Sequence, residues 1–96
     1  MLTHIVVWKY KPEISEQQRE EHRQKLKNLT EFIPEIISLN VGADMLSLPR
    51  SYDTGLVATF ADRAALDIYT NNAEHQKVAA LGKEIAAHAV SVDFIS

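Results

Sequence analysis

The chain has 96 residues, 46% of them hydrophobic, and a formal net charge of −3 without a cluster of basic residues. This predicts one domain over residues 1–96 and argues against nucleic-acid binding, while the absence of cysteine excludes disulfides, thiolate nucleophiles and cysteine zinc sites. No apolar run approaches the ~20 residues that span a bilayer, and the N-terminus lacks a signal-peptide pattern, so we expect a cytoplasmic protein without a membrane partner.

The first predicted strand covers Thr3 to Lys11, is rich in β-branched and aromatic residues, and ends at Pro12. Alternate side chains of a strand point to opposite faces of its sheet. One face carries His4, Val6, Trp8 and Tyr10, and the other carries Thr3, Ile5, Val7 and Lys9. Both faces have an apolar centre, which is typical of a central strand that is covered on both sides.

The first predicted helix runs from Glu16 to about Phe32, after a capping box formed by Ser15 and Gln18. Pro34 ends it, because the residue before a proline is pushed out of the helical conformation. Its apolar stripe consists of His22, Leu26, Leu29 and Ile33. His22 is a candidate ligand-binding residue on this stripe. The alternative is that His22 lies on the helix surface, at the edge of the stripe, without a functional role.

The middle of the chain predicts two strands, Ile36 to Asp44 and Asp53 to Phe60, joined by a loop over Met45 to Tyr52. Both strands contain the β-branched and aromatic residues that favour extended structure. Gly42, near the end of the first of them, is a candidate position for a bulge.

Two helical segments and a last strand follow. Asp62 caps a short helix that continues through Tyr69, and Asn71-Asn72 interrupts it. A second segment runs from Ala73 to about Ala87, and its apolar stripe consists of His75, Val78, Gly82 and Ile85. The last predicted strand is Ala89 to Ile95, which leaves His88 at a helix end, where a cation suits the helix dipole.

The order β-α-β-β-α-β is typical of the ferredoxin-like α+β fold, a four-stranded antiparallel sheet with helices on one face. Two helices cover only one face of such a sheet. Ile5 and Val7 on strand one, and Val57 on strand three, then belong to an apolar face without a helix. Soluble monomers rarely expose so large an apolar patch. We therefore expect a homodimer in which the sheet of a second copy covers this face.

Six short stretches, spread over nearly the whole chain, are together typical of one family: His4–Pro12, Ile33–Ile36, Asn40–Gly42, Ser51–Asp53, Ala73–Gln76 and Val92–Phe94. On these stretches the chain resembles the stress-responsive A/B barrel domains, or Dabb domains. The resemblance implies two ferredoxin-like subunits whose sheets pack into a dimeric α/β barrel. Most members of the family have no assigned activity.

The resemblance also implies candidate catalytic residues. A plant member of the family closes a polyketide chain by aldol condensation without a metal, and its essential histidine pair matches His4 and His75 of this chain. Its pocket tyrosine ahead of the second histidine matches Tyr69. The chain departs from that enzyme at Leu26, where the enzyme has a second pocket tyrosine, and at Asn72-Ala73, where His-Pro is usual. These departures bear on substrate and reaction more than on the fold.

The predicted site is the space between sheet and helices. Its candidate catalytic residues are His4, His75 and Tyr69, and its candidate ligand-binding residues are Trp8, Tyr10 and His22. Imidazole acts as acid or base near neutral pH, a tyrosine hydroxyl can donate to a developing oxyanion, and aromatic walls suit a planar ligand. The alternative is that the histidines are core residues satisfied by carbonyl groups or by each other. Because no H-x-H or H-x-x-x-H spacing is present, we predict no metal site and no cofactor.

Three functions are compatible with these residues. The first is a stress-responsive barrel domain that binds a small apolar or aromatic ligand without established catalysis. The second is a cofactor-free enzyme of the polyketide-cyclase type, with His75 as base and His4 or Tyr69 as its partner. A further enzymatic possibility, beside these three functions, is the redox chemistry of the related cofactor-independent monooxygenases. The third is a structural dimer module whose interior is filled by side chains. These residues do not decide whether the chain is an enzyme. An open cavity favours the first two functions, and an interior filled by side chains favours the third.

Overall fold

The chain folds into four strands and three α-helices, with a short 3-10 helix after the first α-helix. The computed structural model describes residues 1–96, and its elements are β1 (Leu2–Tyr10), α1 (Glu16–Lys27), the 3-10 helix (Asn28–Glu31), β2 (Ser38–Ala43), β3 (Thr54–Phe60), α2 (Arg63–Asn71), α3 (Ala73–Ile85) and β4 (Ala86–Ile95). The strands form one antiparallel sheet in the order β2-β3-β1-β4. This is the predicted ferredoxin-like arrangement, with β1 and β3 in the centre.

The helix starts follow the capping signals in the sequence. The Ser15 hydroxyl accepts a hydrogen bond from the Gln18 N–H at 3.1 Å, and the Gln18 side chain accepts one from the Ser15 N–H at 2.9 Å. Asp62 caps α2 by accepting from the Ala65 N–H at 2.9 Å. Asn72 ends α2 and also begins α3, because its side-chain oxygen accepts from the N–H of Glu74 at 2.8 Å. No helix of the chain is both long enough and apolar enough to cross a bilayer.

Two local predictions in the first half of the chain are wrong. α1 ends at Lys27 rather than near Phe32, because the chain tightens into the 3-10 helix from Asn28 onward, as helices often do at their C-terminal ends. Gly42 does not mark a bulge, since β2 and β3 pair in unbroken register with Gly42 opposite Gly55. The one register shift of β1 and β4 lies between Lys9 and Tyr10.

The junction of α3 and β4 also differs from the prediction. β4 begins at Ala86, directly after α3 ends at Ile85, so His88 lies in a strand rather than at a helix end. The reason is tertiary, because pairing with β1 sets Ala86 opposite Tyr10 and His88 opposite Lys9. This pairing overrides the helical preference of the alanines in this stretch.

The two faces of the sheet have different surroundings. The helix-facing side holds the core, and along β3 every second residue is buried while the residues between are more exposed. The opposite side, which we call the outer face, has no helix on it. Its apolar residues are Ile5, Val7, Val57, Val90, Val92 and Phe94. Val90 and Val92 are both 52% exposed, so the chain has the uncovered apolar face that its sequence predicts.

Candidate functional site

A cavity of about 290 Å³ lies between the helix-facing side of the sheet and helices α2 and α3. Its wall contains four of the six side chains predicted to form a site, namely His4, Trp8, Tyr69 and His75. The alternation of β1 directs the first two toward the helices. Tyr69 lies near the end of α2, and the Asn72 cap places His75 in the first turn of α3. The structure therefore brings the three candidate catalytic residues together around one space.

The Tyr69 ring packs against both histidines. Its centroid is 5.7 Å from that of His4 and 4.2 Å from that of His75, and Phe60 supports it from the core at 5.1 Å. Burial raises the pKa of the Tyr69 hydroxyl to about 12. The hydroxyl thus stays protonated at neutral pH and can act as a hydrogen-bond donor to a carbonyl or oxyanion.

His4 is oriented by an acidic neighbour that the sequence analysis did not select. Asp93, on β4, lies directly opposite His4 in the sheet, and its carboxylate is hydrogen-bonded to the imidazole Nδ1. We assign the proton of the neutral ring to Nδ1, because a carboxylate can only accept. This leaves Nε2 of His4 as an acceptor that has no partner within the chain. The signal for Asp93 is the β1–β4 register, which the sequence alone does not define.

The imidazole of His75 is held by a backbone carbonyl group rather than by a carboxylate, and this contact also involves Nδ1. Its Nδ1 lies 3.2 Å from the carbonyl oxygen of Thr70 and donates to it in the neutral ring. Burial lowers the pKa of His75 below the ordinary value of 6.5, and the bond to Thr70 only partly opposes this effect. His75 is therefore neutral at pH 7, and its Nε2 is also available as a proton acceptor.

Tyr10 and His22, the other two predicted ligand-binding residues, do not line this cavity. Both are buried beside α1, where the Tyr10 hydroxyl lies 2.6 Å from Nδ1 of His22 and donates to Thr54 at 2.9 Å. The alternative prediction of a surface position for His22 is wrong, since the residue is 0% exposed. Burial, and secondarily the charge of Arg23, lowers the pKa of His22 to about 4. These two residues form a neutral polar cluster of the core.

Trp8 separates this buried cluster from the cavity. Its indole lies edge-on to the His22 ring, with the centroids 5.1 Å apart. Gly82 of α3 packs against both of these rings. A Cβ added at Gly82 would lie 3.1 Å from Nε1 of Trp8 and 3.2 Å from Nε2 of His22. The missing side chain of Gly82 therefore lets α3 pack closely against both rings and fixes the position of the indole.

The arrangement supplies polar groups for proton transfer and apolar walls for a ligand. Two proton acceptors, His4 and His75, and one proton donor, Tyr69, surround a space that is otherwise mostly hydrophobic. Nowhere in the chain do three or more His, Cys, Asp or Glu side chains come together as a potential metal site.

The chain matches a family model along almost its entire length. The model described as Stress responsive A/B Barrel Domain covers residues 2–96. No curated protein matches the chain in sequence.

Solved structures share its fold at low sequence identity. A dimeric ferredoxin-like protein of unknown function from Thermobifida fusca is 24% identical with a TM-score of 0.90, over 99% of this chain and 90% of the other. A hydroxynitrile lyase from Passiflora edulis is 19% identical with a TM-score of 0.90, over 99% and 92%. A protein described as an antibiotic biosynthesis monooxygenase is 21% identical with a TM-score of 0.80, over 100% and 98%. At such identities the likeness is one of fold.

Proposed function

The chain belongs to the stress responsive A/B barrel domain family, and we propose that it binds a small apolar or aromatic ligand in the cavity between its sheet and its helices. The observation that carries this proposal is the cavity of about 290 Å³, whose apolar wall contains Trp8, Tyr69 and two histidines. A few polar groups in an otherwise apolar pocket are the usual composition of small-molecule sites. The open space argues against the structural module with a filled interior.

A second candidate function is cofactor-free general acid–base catalysis in the same cavity. The specific observation in its favour is the pairing of His4 with Asp93, which fixes the imidazole so that Nε2 can accept a proton. Nε2 of His75 can act in the same way, because its ring is neutral at pH 7. The Tyr69 hydroxyl would donate to the oxygen on which negative charge develops. The hydroxynitrile lyase of Passiflora edulis illustrates that this fold supports an enzyme.

We also propose that the functional unit is a homodimer formed through the outer face. On this face, Val90 and Val92 of β4 form an exposed ridge along one edge of the sheet. The Gly42–Gly55 pair of β2 and β3 forms a shallow depression near the opposite edge of the same face. A two-fold axis would bring the ridge of each copy near the depression of the other, as an isologous interface requires. The Thermobifida fusca protein, which is described as dimeric, supports this assembly.

The binding proposal is tested by filling the cavity. Ala79 lines it, whereas Ala80 is the next residue of α3 and is exposed. We expect 4-butylbenzamide, a neutral aromatic probe, to bind the unmodified protein with a saturable change in the emission of Trp8, the only tryptophan of the chain. Ala79→Leu should abolish this binding because its side chain occupies the space, and the matched control Ala80→Leu should retain it. Absence of saturable binding to the unmodified protein, or equal binding by both variants, would overturn the proposal.

A further inference from the structure

The cavity wall contains one residue with a permanent charge. Among the 13 residues that line the cavity, Lys83 is the only lysine or arginine, and no aspartate or glutamate is present. The remaining polar side chains of the wall are the two histidines, Tyr69, Thr70 and Ser91, together with the indole of Trp8. His75 is neutral at pH 7, and His4 already has an acidic partner in Asp93. Lys83, an exposed residue, is therefore the one residue of the wall with a permanent charge.

Lys83 has no acidic partner within the protein. No carboxylate lies within ion-pair distance of its ammonium, although acidic residues outnumber lysines and arginines by 13 to 10. The residues three and four positions before and after Lys83 in the sequence are all alanine, namely Ala79 and Ala80 on α3 and Ala86 and Ala87 at the start of β4. Lys77 of the same helix, by contrast, lies 3.2 Å from Glu74. A lysine in the last turn suits the helix dipole on any face, so the dipole does not explain why Lys83 lies at the cavity.

Lys83 and the histidines lie far apart along the cavity. His75 and Lys83 are eight residues apart on α3, which corresponds to about 12 Å along a helix axis. Trp8 is four residues from His4 on β1, about 13 Å along a strand. Gly82, the neighbour of Lys83, approaches Trp8, so the lysine belongs to the tryptophan end of the cavity. The cavity thus has a basic end, an apolar middle and an acid–base end.

Ser91 adds a second donor to the wall. It lies on β4 opposite Val6, on the helix-facing side, and its hydroxyl makes no hydrogen bond within the chain. The Lys83 ammonium can form a charge-assisted bond with a ligand carboxylate, and the Ser91 hydroxyl, opposite Val6, can donate to a ligand oxygen further along the cavity.

We propose that the ligand is an elongated apolar molecule with a carboxylate at one end, which Lys83 binds. Its uncharged end then reaches the His4, Tyr69 and His75 cluster. This inference rests on the proposed binding function and specifies its ligand class. It predicts that the cavity prefers an anionic ligand to a neutral ligand of the same shape.

The test compares 4-butylbenzoate with 4-butylbenzamide, which differ in charge but hardly in shape, by calorimetric titration. We expect the unmodified protein to bind the benzoate more tightly, with an affinity that falls as salt is added. Lys83→Met should weaken benzoate binding by about three- to five-fold, the range of partly exposed ion pairs, and leave benzamide binding unchanged. The control Lys77→Met, which removes a lysine outside this cavity, should change neither affinity.

The outcomes separate the two proposals. If both probes bind the unmodified protein equally, or if Lys83→Met weakens both to the same extent, the carboxylate inference is overturned while cavity binding stands. If neither probe binds, both proposals fail. Loss of the benzoate preference in Lys83→Met, with benzamide binding intact, would support the inference in a way that a merely structural lysine could not.

Discussion

Replacing Gly82 by alanine should disturb the contact that holds Trp8 at the end of the cavity. The added Cβ would lie 3.1 Å from Nε1 of Trp8 and 3.2 Å from Nε2 of His22, closer than ordinary van der Waals contacts. His22 cannot yield easily, because it is fully buried and its other nitrogen lies 2.6 Å from the Tyr10 hydroxyl. Trp8 borders the cavity and has space on that side. We therefore expect the indole to move into the cavity.

Two opposing terms set the size of this effect on stability. Overpacking costs about 1–3 kcal/mol, whereas alanine is favoured over glycine inside a helix by about 1 kcal/mol. Gly82 does not have a positive φ, so no backbone strain is added. The net destabilisation is about 0–2 kcal/mol, which corresponds to a fall in Tm of up to about 15 °C for a domain of this size. Binding of 4-butylbenzamide should weaken as well, because the indole then occupies part of the ligand space.

Thermal unfolding, Trp8 emission and probe titration measure these effects together. Ala80→Leu, which adds a side chain at an exposed position of the same helix, is the control. Gly82→Ala should cost less stability in a Trp8→Leu background than in the unmodified protein, because the smaller side chain makes room for the new methyl group. A Gly82→Ala protein that is about 1 kcal/mol more stable, with unchanged Trp8 emission and unchanged binding, would refute the reasoning.

Three further predictions follow from the outer face, the buried histidine and the pocket tyrosine. Val7→Glu should dissociate the proposed dimer, because a carboxylate in the sheet–sheet contact would lose water without gaining a partner, and a folded dimer of unchanged affinity in sedimentation would contradict this. The pKa of His22 is about 4 in the folded chain and 6.5 when unfolded, so the unfolded state binds more protons as pH falls from 6.5 toward 4. The free energy of unfolding should therefore fall by roughly 2 kcal/mol between pH 7 and pH 5 in urea titrations, and His22→Gln should remove most of this dependence; an equal fall in the variant would count against it. Tyr69→Phe should leave Tm nearly unchanged, since the hydroxyl has no partner in the chain, but should reduce any turnover in the cavity. A Tyr69→Phe variant that keeps the full turnover of the unmodified protein would exclude Tyr69 as the proton donor.

Much of the fold is readable from the sequence because its signals are local. The Ser15–Gln18 capping box and the Asp62 cap mark helix starts within four residues of chain, and the alternation along β1 alone separates its two faces. The same alternation places His4 and Trp8 on the side of the helices. The helical spacing of α3 then brings His75 to that side. The exposed outer face is also predictable, because both faces of the sheet are apolar and the helices can cover only one of them.

The features that the sequence did not reveal depend on contacts between distant segments. Asp93 is a partner of His4 only through the β1–β4 register, 89 residues apart in the chain. His22 lies at the edge of an apolar stripe, and only the packing of α1 over Tyr10 and Trp8 buries it. The start of β4 at Ala86 is likewise a result of strand pairing, against the helical preference of alanine.

The four histidines of the chain allow a direct test of whether His4 and His75 border one ligand cavity. In a ¹H–¹³C spectrum of the imidazole groups, titration with 4-butylbenzoate should shift the resonances of His4 and His75 together, with one saturation curve. His22, which is buried behind Trp8, should move little, and His88, on the outer face, should not move. Separate saturation of the His4 and His75 resonances, or a shift confined to His88, would contradict the account.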